Sequence, residues 1–334
     1  MTGRTLAAFE PLAPAEQVLL DGLSEGRFDL VDGGDLPEGD EAWRVIRAEL
    51  LRLLILGAPG APTVHEKGVR VSGAIIRGVL DLEGCRITRD IGLVDCRFEN
   101  ALVLRSAVID TLFLDGSHLP SLLAERLEAR GDILLRQAVV DGPVLMPGAR
   151  LGGGLIADGA HFTRKDGAAI SVENADLRGD LSLKGATVEG SLALGGARLG
   201  ADFSAIGASI ANTEGLALDA EGASVRGDVL LQHAQVQGEM RFDRLRCEGA
   251  FSMRGGSFSA PGAAGCSLVG ASVTGSLVLR DGARIEGLLD LRGATVGSMM
   301  DDPASWPGAG DLALDRCLYG GFLGAPADAA TRLR

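Results

Sequence analysis

Residues 175–207 read ADLRGDLSLKG, ATVEGSLALGG and ARLGADFSAIG, three successive eleven-residue repeats on the template Ala-x-Val/Leu-x-Gly-x-Leu-x-Leu-x-Gly. Odd positions are apolar or small and even positions mostly polar, the alternation of a strand with one buried face. Eleven is odd, so position 11 of one repeat and position 1 of the next both belong to the inward set. Strict alternation cannot cross that Gly-Ala junction, and the chain must turn a corner there at the pair with the least steric cost. Gly at position 5 marks a second, softer bend. A helical supercoil of period eleven is excluded, because two glycines per repeat would each cost about 1 kcal/mol relative to Ala. Leucine-rich repeats are a weaker rival, because their units are longer and need an Asn or Cys ladder that is absent here.

The pattern runs from Gly68 to Gly297, loosening only at AVIDTLFLDG and SHLPSLLAER, where Pro120 interrupts it. Three repeats, 160–174, 208–222 and 256–270, are longer than the rest by four residues, and they recur at a constant interval of one long and three ordinary repeats. If two repeats make one coil, the four-residue extensions recur on the same side of every second coil and line up as bulging loops. The expected fold is all-β, a right-handed parallel β-helix (β-solenoid) of about ten coils with an N-terminal α-helical cap, the hand following the bias of parallel crossovers. The expected segments are a cap over 1–67, a solenoid over 68–297, and an excursion that ends the solenoid over 298–334.

Composition suits a narrow core: Gly occurs 49 times, while aromatic residues make up 4% of the chain. The formal charge is −13, and residues 1–60, with eleven acids and five arginines, supply nearly half of it. That balance argues against nucleic acid or an anionic membrane as a bulk electrostatic partner. No long apolar run and no cleavable leader is present, so the expected location is the cytoplasm, at most peripheral to the inner membrane. Five cysteines without a CxxC, two of them (Cys85 and Cys96) replacing the template's first Ala, read as small buried residues.

A short helix is expected from Pro14. A second, over residues 40–56, carries Trp43, Ile46, Leu50, Leu53 and Leu54 at helical spacing, with Gly57 after its end. Such a stripe packs on its own domain as a cap or meets a partner. The region after residue 293 breaks the repeat and holds Asp301, Asp302, Pro303, Trp306 and Pro307, followed by Tyr319 and Phe322. The candidate interaction surface is therefore Trp43, Leu50, Leu54, Asp301, Asp302, Trp306, Tyr319 and Phe322.

The Ala-x-Leu-x-Gly and Leu-x-Leu-x-Gly phrases are similar to those of pentapeptide-repeat proteins, whose β-helices stack short strands with small residues at the corners. HEKGVRVSGAIIRGVLDLEGCRI and LFLDGSHLP more closely resemble a bacterial family of eleven-residue-repeat proteins that often carries the label membrane-associated oxidoreductase. That resemblance extends over essentially the whole chain. It implies membrane association only through helical and apolar segments that this chain does not contain.

Chemistry is sparse in the sequence. His65, His118, His161 and His233 form no HxxxH, HExxH or HxH, and no glycine cluster opens a dinucleotide-binding helix. No cofactor, metal or catalytic residue is assigned. The expected function is a non-catalytic scaffold for an unknown protein partner or for self-association through the solenoid ends. Two alternatives remain: an acidic, DNA-mimicking rod acting on a topoisomerase, and a membrane-associated enzyme of the kind the family label names.

Overall fold

The computed structural model describes residues 5–26, 35–37, 39, 41–57, 61–308 and 310–323. The chain divides into two compact units, 1–163 and 164–334. Each is a parallel β-solenoid built from very short strands, and together they hold about 11 coils.

In the first unit, helix α1 (Pro14–Gly22) begins at the proline that marks it in the sequence. The second expected helix is shorter than its apolar stripe. Residues 42–44 form a 3₁₀ turn, and strand β1 (Val45–Arg47) precedes helix α2 (Ala48–Leu56); Asp40 lies outside the described residues. Strand β1 pairs in parallel with β3 (Ile75–Arg77), which follows strand β2 (Val69–Ser72). The first rung of one sheet is thus drawn from the segment expected to be helical. Val45 and Ile46 are buried there, and a free sheet edge gains a partner. Helix α2 ends at Gly57, whose φ of 59° forms the left-handed cap.

Strand registers establish the coil. Val69 pairs with Ile91, Ile91 with Leu112 and Leu112 with Ile133, each partner standing two repeats further along the chain. Two repeats therefore make one turn, and the loosened stretch around Pro120 forms ordinary rungs with one residue fewer. In the second unit Leu177 pairs with Leu199, Leu199 with Val225 and Val225 with Cys247. The middle step is the longest of the three, because it contains an extended repeat.

Corners fall at the Gly-Ala junctions. At one of them the Ala186 N–H donates to the Leu183 carbonyl at 3.1 Å, while Gly185 holds φ at +63°. Where other residues occupy position 11, as Asp95, Gln137, Asn174 and His233 do, φ stays between 49° and 56°. The corner dictates the conformation, and glycine is the residue that adopts it without strain. Ala at position 1 is sealed inside, as at Ala175 and Ala186, and the same position buries Leu127 and Leu245 as completely.

The interior is aliphatic with a few rings. Leu181, Leu183 and Leu192 are fully buried, as are Phe203, Phe242 and Phe251. Phe242 and Phe251 meet edge to face at 4.8 Å. Cys96 is fully buried, but Cys85 is only half-buried, contrary to the expectation for both. The bridge from Arg86 to Val108 places its rung at the start of that ladder, where the Arg52 guanidinium, 3.8 Å from its sulfur, lies over it.

The extended repeats project loops from one sheet of the second unit, one loop at every second coil. Arg164 Nη1 donates to the Ala168 carbonyl at 3.1 Å, and Asn212 Nδ2 donates to the Leu216 carbonyl at 2.8 Å, so equivalent side chains close equivalent loops. The carbonyls of Arg164, Asn212 and Ala260 each lie over a position-5 glycine of the next coil. A Cβ at Gly190, Gly238 or Gly287 would come within 2.5, 2.1 and 2.5 Å of them. Those glycines mark a close backbone approach, which the sequence shows only as a bend.

Candidate interaction surfaces

The eight candidate residues fall into four environments. Leu50 and Leu54 are buried at 0% and 1% exposure, because α2 turns its apolar face onto the first coil. They serve the core and offer nothing to a partner. Trp43, half-exposed in the 3₁₀ turn before β1, has the Arg44 guanidinium stacked 4.9 Å from its ring centre.

The excursion after residue 293 is tied down by its acids. Asp301 Oδ2 accepts the Trp306 indole N–H at 2.7 Å, and Asp302 Oδ2 accepts the Asp281 backbone N–H at 2.6 Å. The adjacent carboxylates are therefore loop fasteners, each directed to its own donor. Trp306 is only partly exposed, and Ser305 beside it is buried.

Tyr319 and Phe322 lie in the last described coil of the second unit, with ring centres 4.9 Å apart. Around them, Leu312, Leu314, Leu318 and Leu323 are exposed, and the sequence alone does not single these out. Three of the six have covered equivalents one coil earlier: Leu312 pairs with Leu289, Tyr319 with Val296 and Phe322 with Met299, all buried. Leu312, Tyr319 and Phe322 thus continue the inward pattern into a coil over which no further rung lies among the described residues. Leu318 adds to the patch from an outward position, opposite the exposed Thr295. Only the place of this coil in the stack distinguishes it, since Leu-x-Leu reads as core everywhere else.

Titratable groups are arranged for structure. Burial pushes the Cys96 thiol up to about 12 and the Cys247 thiol up to about 11, so both stay protonated and are poor nucleophiles. Asp180 accepts the Asp202 N–H, Asp202 the Asp228 N–H and Asp228 the Ala250 N–H, at 2.7 to 2.9 Å. This ladder of carboxylates caps successive rungs. Among the described residues no group of three His, Cys, Asp or Glu side chains could hold a metal ion. No helix among them is long and apolar enough to cross a membrane.

The fold and its surfaces define the class, a β-solenoid repeat protein. No protein-family model matches the chain, and no curated protein matches its sequence.

Proposed function

We propose that this chain is a non-catalytic scaffold that binds a protein partner, or a second copy of itself, through the apolar last described coil of the second unit. The observation that carries the reading is a contrast between neighbouring coils. Leu312, Tyr319 and Phe322 are 36%, 49% and 38% exposed, whereas Leu289, Val296 and Met299, which they pair with, are 0%, 3% and 3% exposed. A contiguous exposed apolar patch beside strand edges is a surface built for contact. The reading places the scaffold in the cytoplasm, where its five unpaired cysteines stay reduced. A topoisomerase-directed DNA mimic calls for an outward face of one sign, whereas the outward columns of the second unit mix Asp176 and Glu248 with Arg178, Arg198, Arg226 and Arg246.

The test is the double variant L318D/Y319S against the wild type. Sedimentation velocity over a concentration series and affinity capture should show association in the wild type and its loss in the variant, at an unchanged melting temperature. Association that survives the substitution would remove the reading.

A further inference from the structure

Hydrogen bonds between coils of the second unit run in opposite senses on the two sides of the last described coil. On the side of strand Leu312–Ala313 the earlier coil donates forward: the Leu289, Leu291 and Gly293 N–H groups reach the Asp311, Ala313 and Asp315 carbonyls, each at 2.8 Å. Leu312, Leu314 and Arg316 stand one coil on from those donors, so their N–H groups face the open edge. On the side of strand Leu318–Tyr319 the later coil donates back. The Leu318 N–H reaches the Ala294 carbonyl at 2.8 Å, and the Gly320 N–H reaches that of Val296 at 3.2 Å. Cys317 and Tyr319 succeed Ala294 and Val296, so here it is carbonyls that face the open edge. The same senses hold one coil earlier, where Leu268 donates forward to Asp290 and Thr295 donates back to Ala271, both at 2.8 Å. No strand pairs with the outer edge of this coil among the described residues.

Resting on the scaffold reading, we infer that the occupant of this face is a second copy of the chain, related by a two-fold axis that runs along the strands. The chain passes one way along Leu312–Ala313, turns the corner at Arg316 and Cys317, and returns along Leu318–Tyr319. A two-fold in that direction lays the donor strand of each copy antiparallel over the carbonyl strand of the other, twice per interface. Leu314 of one copy then stands opposite Tyr319 of the second, and the exposed Leu312, Leu314, Leu318 and Tyr319 are covered together.

Charge selects the same orientation. The donor side carries Asp311, Asp315 and Arg316, all exposed, whereas residues 317–323 carry no charge. Donor strand over donor strand would bring both carboxylates of one copy against the same two of the other; donor strand over carbonyl strand keeps them apart. The association also closes at two. At the start of the first unit the corresponding edge is filled, because strand β1 pairs with β3 and Leu50, Leu51 and Leu54 of α2 are buried there. Head-to-tail growth into a fibre has no open rung on which to begin.

Sedimentation velocity of the full chain over a concentration series should show monomer and dimer and nothing larger. Disulfide trapping reads the orientation, in a C85S/C317S background that removes the two half-buried thiols. Oxidising a mixture of L314C and Y319C copies should give a covalent dimer, and oxidising either variant alone should not. Like positions lie on opposite sheets about 10 Å apart, beyond the roughly 7 Å that a disulfide spans. Trapping of L314C or Y319C by itself, larger polymers, or a monomer at every concentration would overturn the second copy. A monomer that dimerises only once residues 324–334 are removed would give the face to that segment and count equally against it. The scaffold reading fails separately, when position 318 yields no adduct with any protein in cells; an adduct with a different protein would keep that reading and overturn this one.

Discussion

Glu16 and Arg47 form a buried ion pair that fastens helix α1 to strand β1. The Glu16 side chain is fully covered and that of Arg47 is 37% exposed. Glu16 Oε1 accepts the Arg47 backbone N–H at 3.0 Å and its Nε–H at 2.7 Å, while Oε2 accepts Nη2–H at 2.6 Å and the Ala13 N–H at 2.9 Å. Arg47 Nη2 also donates to the Phe9 carbonyl at 2.6 Å. The carboxylate has its donors in place, as a buried charge requires.

Burial pushes the Glu16 carboxyl up, but the Arg47 and backbone donors outweigh it and hold the group below its ordinary 4.5. A depressed value stabilises the fold above pH 4.5 and loses that stabilisation as pH falls through the lowered value. Melting of the first unit should therefore drop on acidification below about pH 4.5, and E16Q should flatten that part of the profile. R47M, which leaves the buried carboxylate unpaired, should cost about 3 kcal/mol, and E16L/R47M should recover part of it. Urea unfolding of the three variants checks the ordering.

Leu192 occupies an inward position at 0% exposure, between the rungs of a continuous core. L192D places a charge there without a partner, and the second unit should lose at least about 3 kcal/mol or fail to fold. Circular dichroism and limited proteolysis report this directly. Wild-type melting would contradict the register.

The two kinds of glycine should respond differently. At Gly238, φ is +119° and a Cβ would meet the Asn212 carbonyl at 2.1 Å, so G238A should cost more than about 2 kcal/mol. Gly207 holds φ at +65° with nothing within 4 Å, and Asn174 already adopts that conformation at an equivalent corner. G207N should cost less than about 1 kcal/mol. Thermal melts of the two single variants separate a steric approach from a corner.

The coil was legible because parity and the super-repeat are arithmetic properties of the sequence, and the registers Leu177↔Leu199 and Leu199↔Val225 repeat that arithmetic. Strand β1 was not legible. It is too short to show alternation, and its partner strand Ile75–Arg77 lies beyond helix α2 and the whole of β2. Leu50 and Leu54 resemble a partner-binding stripe because a helix that caps its own solenoid and one that meets another chain carry the same spacing. Leu312 and Leu318 were hidden by the opposite ambiguity, since exposure there depends on place in the stack.

The scaffold reading rests on the last described coil of the second unit, and site-specific photo-crosslinking probes it most directly. A benzoyl-phenylalanine at position 318, where Leu318 is 64% exposed, is compared in expressing cells with one at position 79, where Val79 is 51% exposed in the first unit. The account predicts a discrete adduct, with a second copy or with one other protein, from position 318 and none from position 79. No adduct at position 318, or equal yields at both positions, would contradict it.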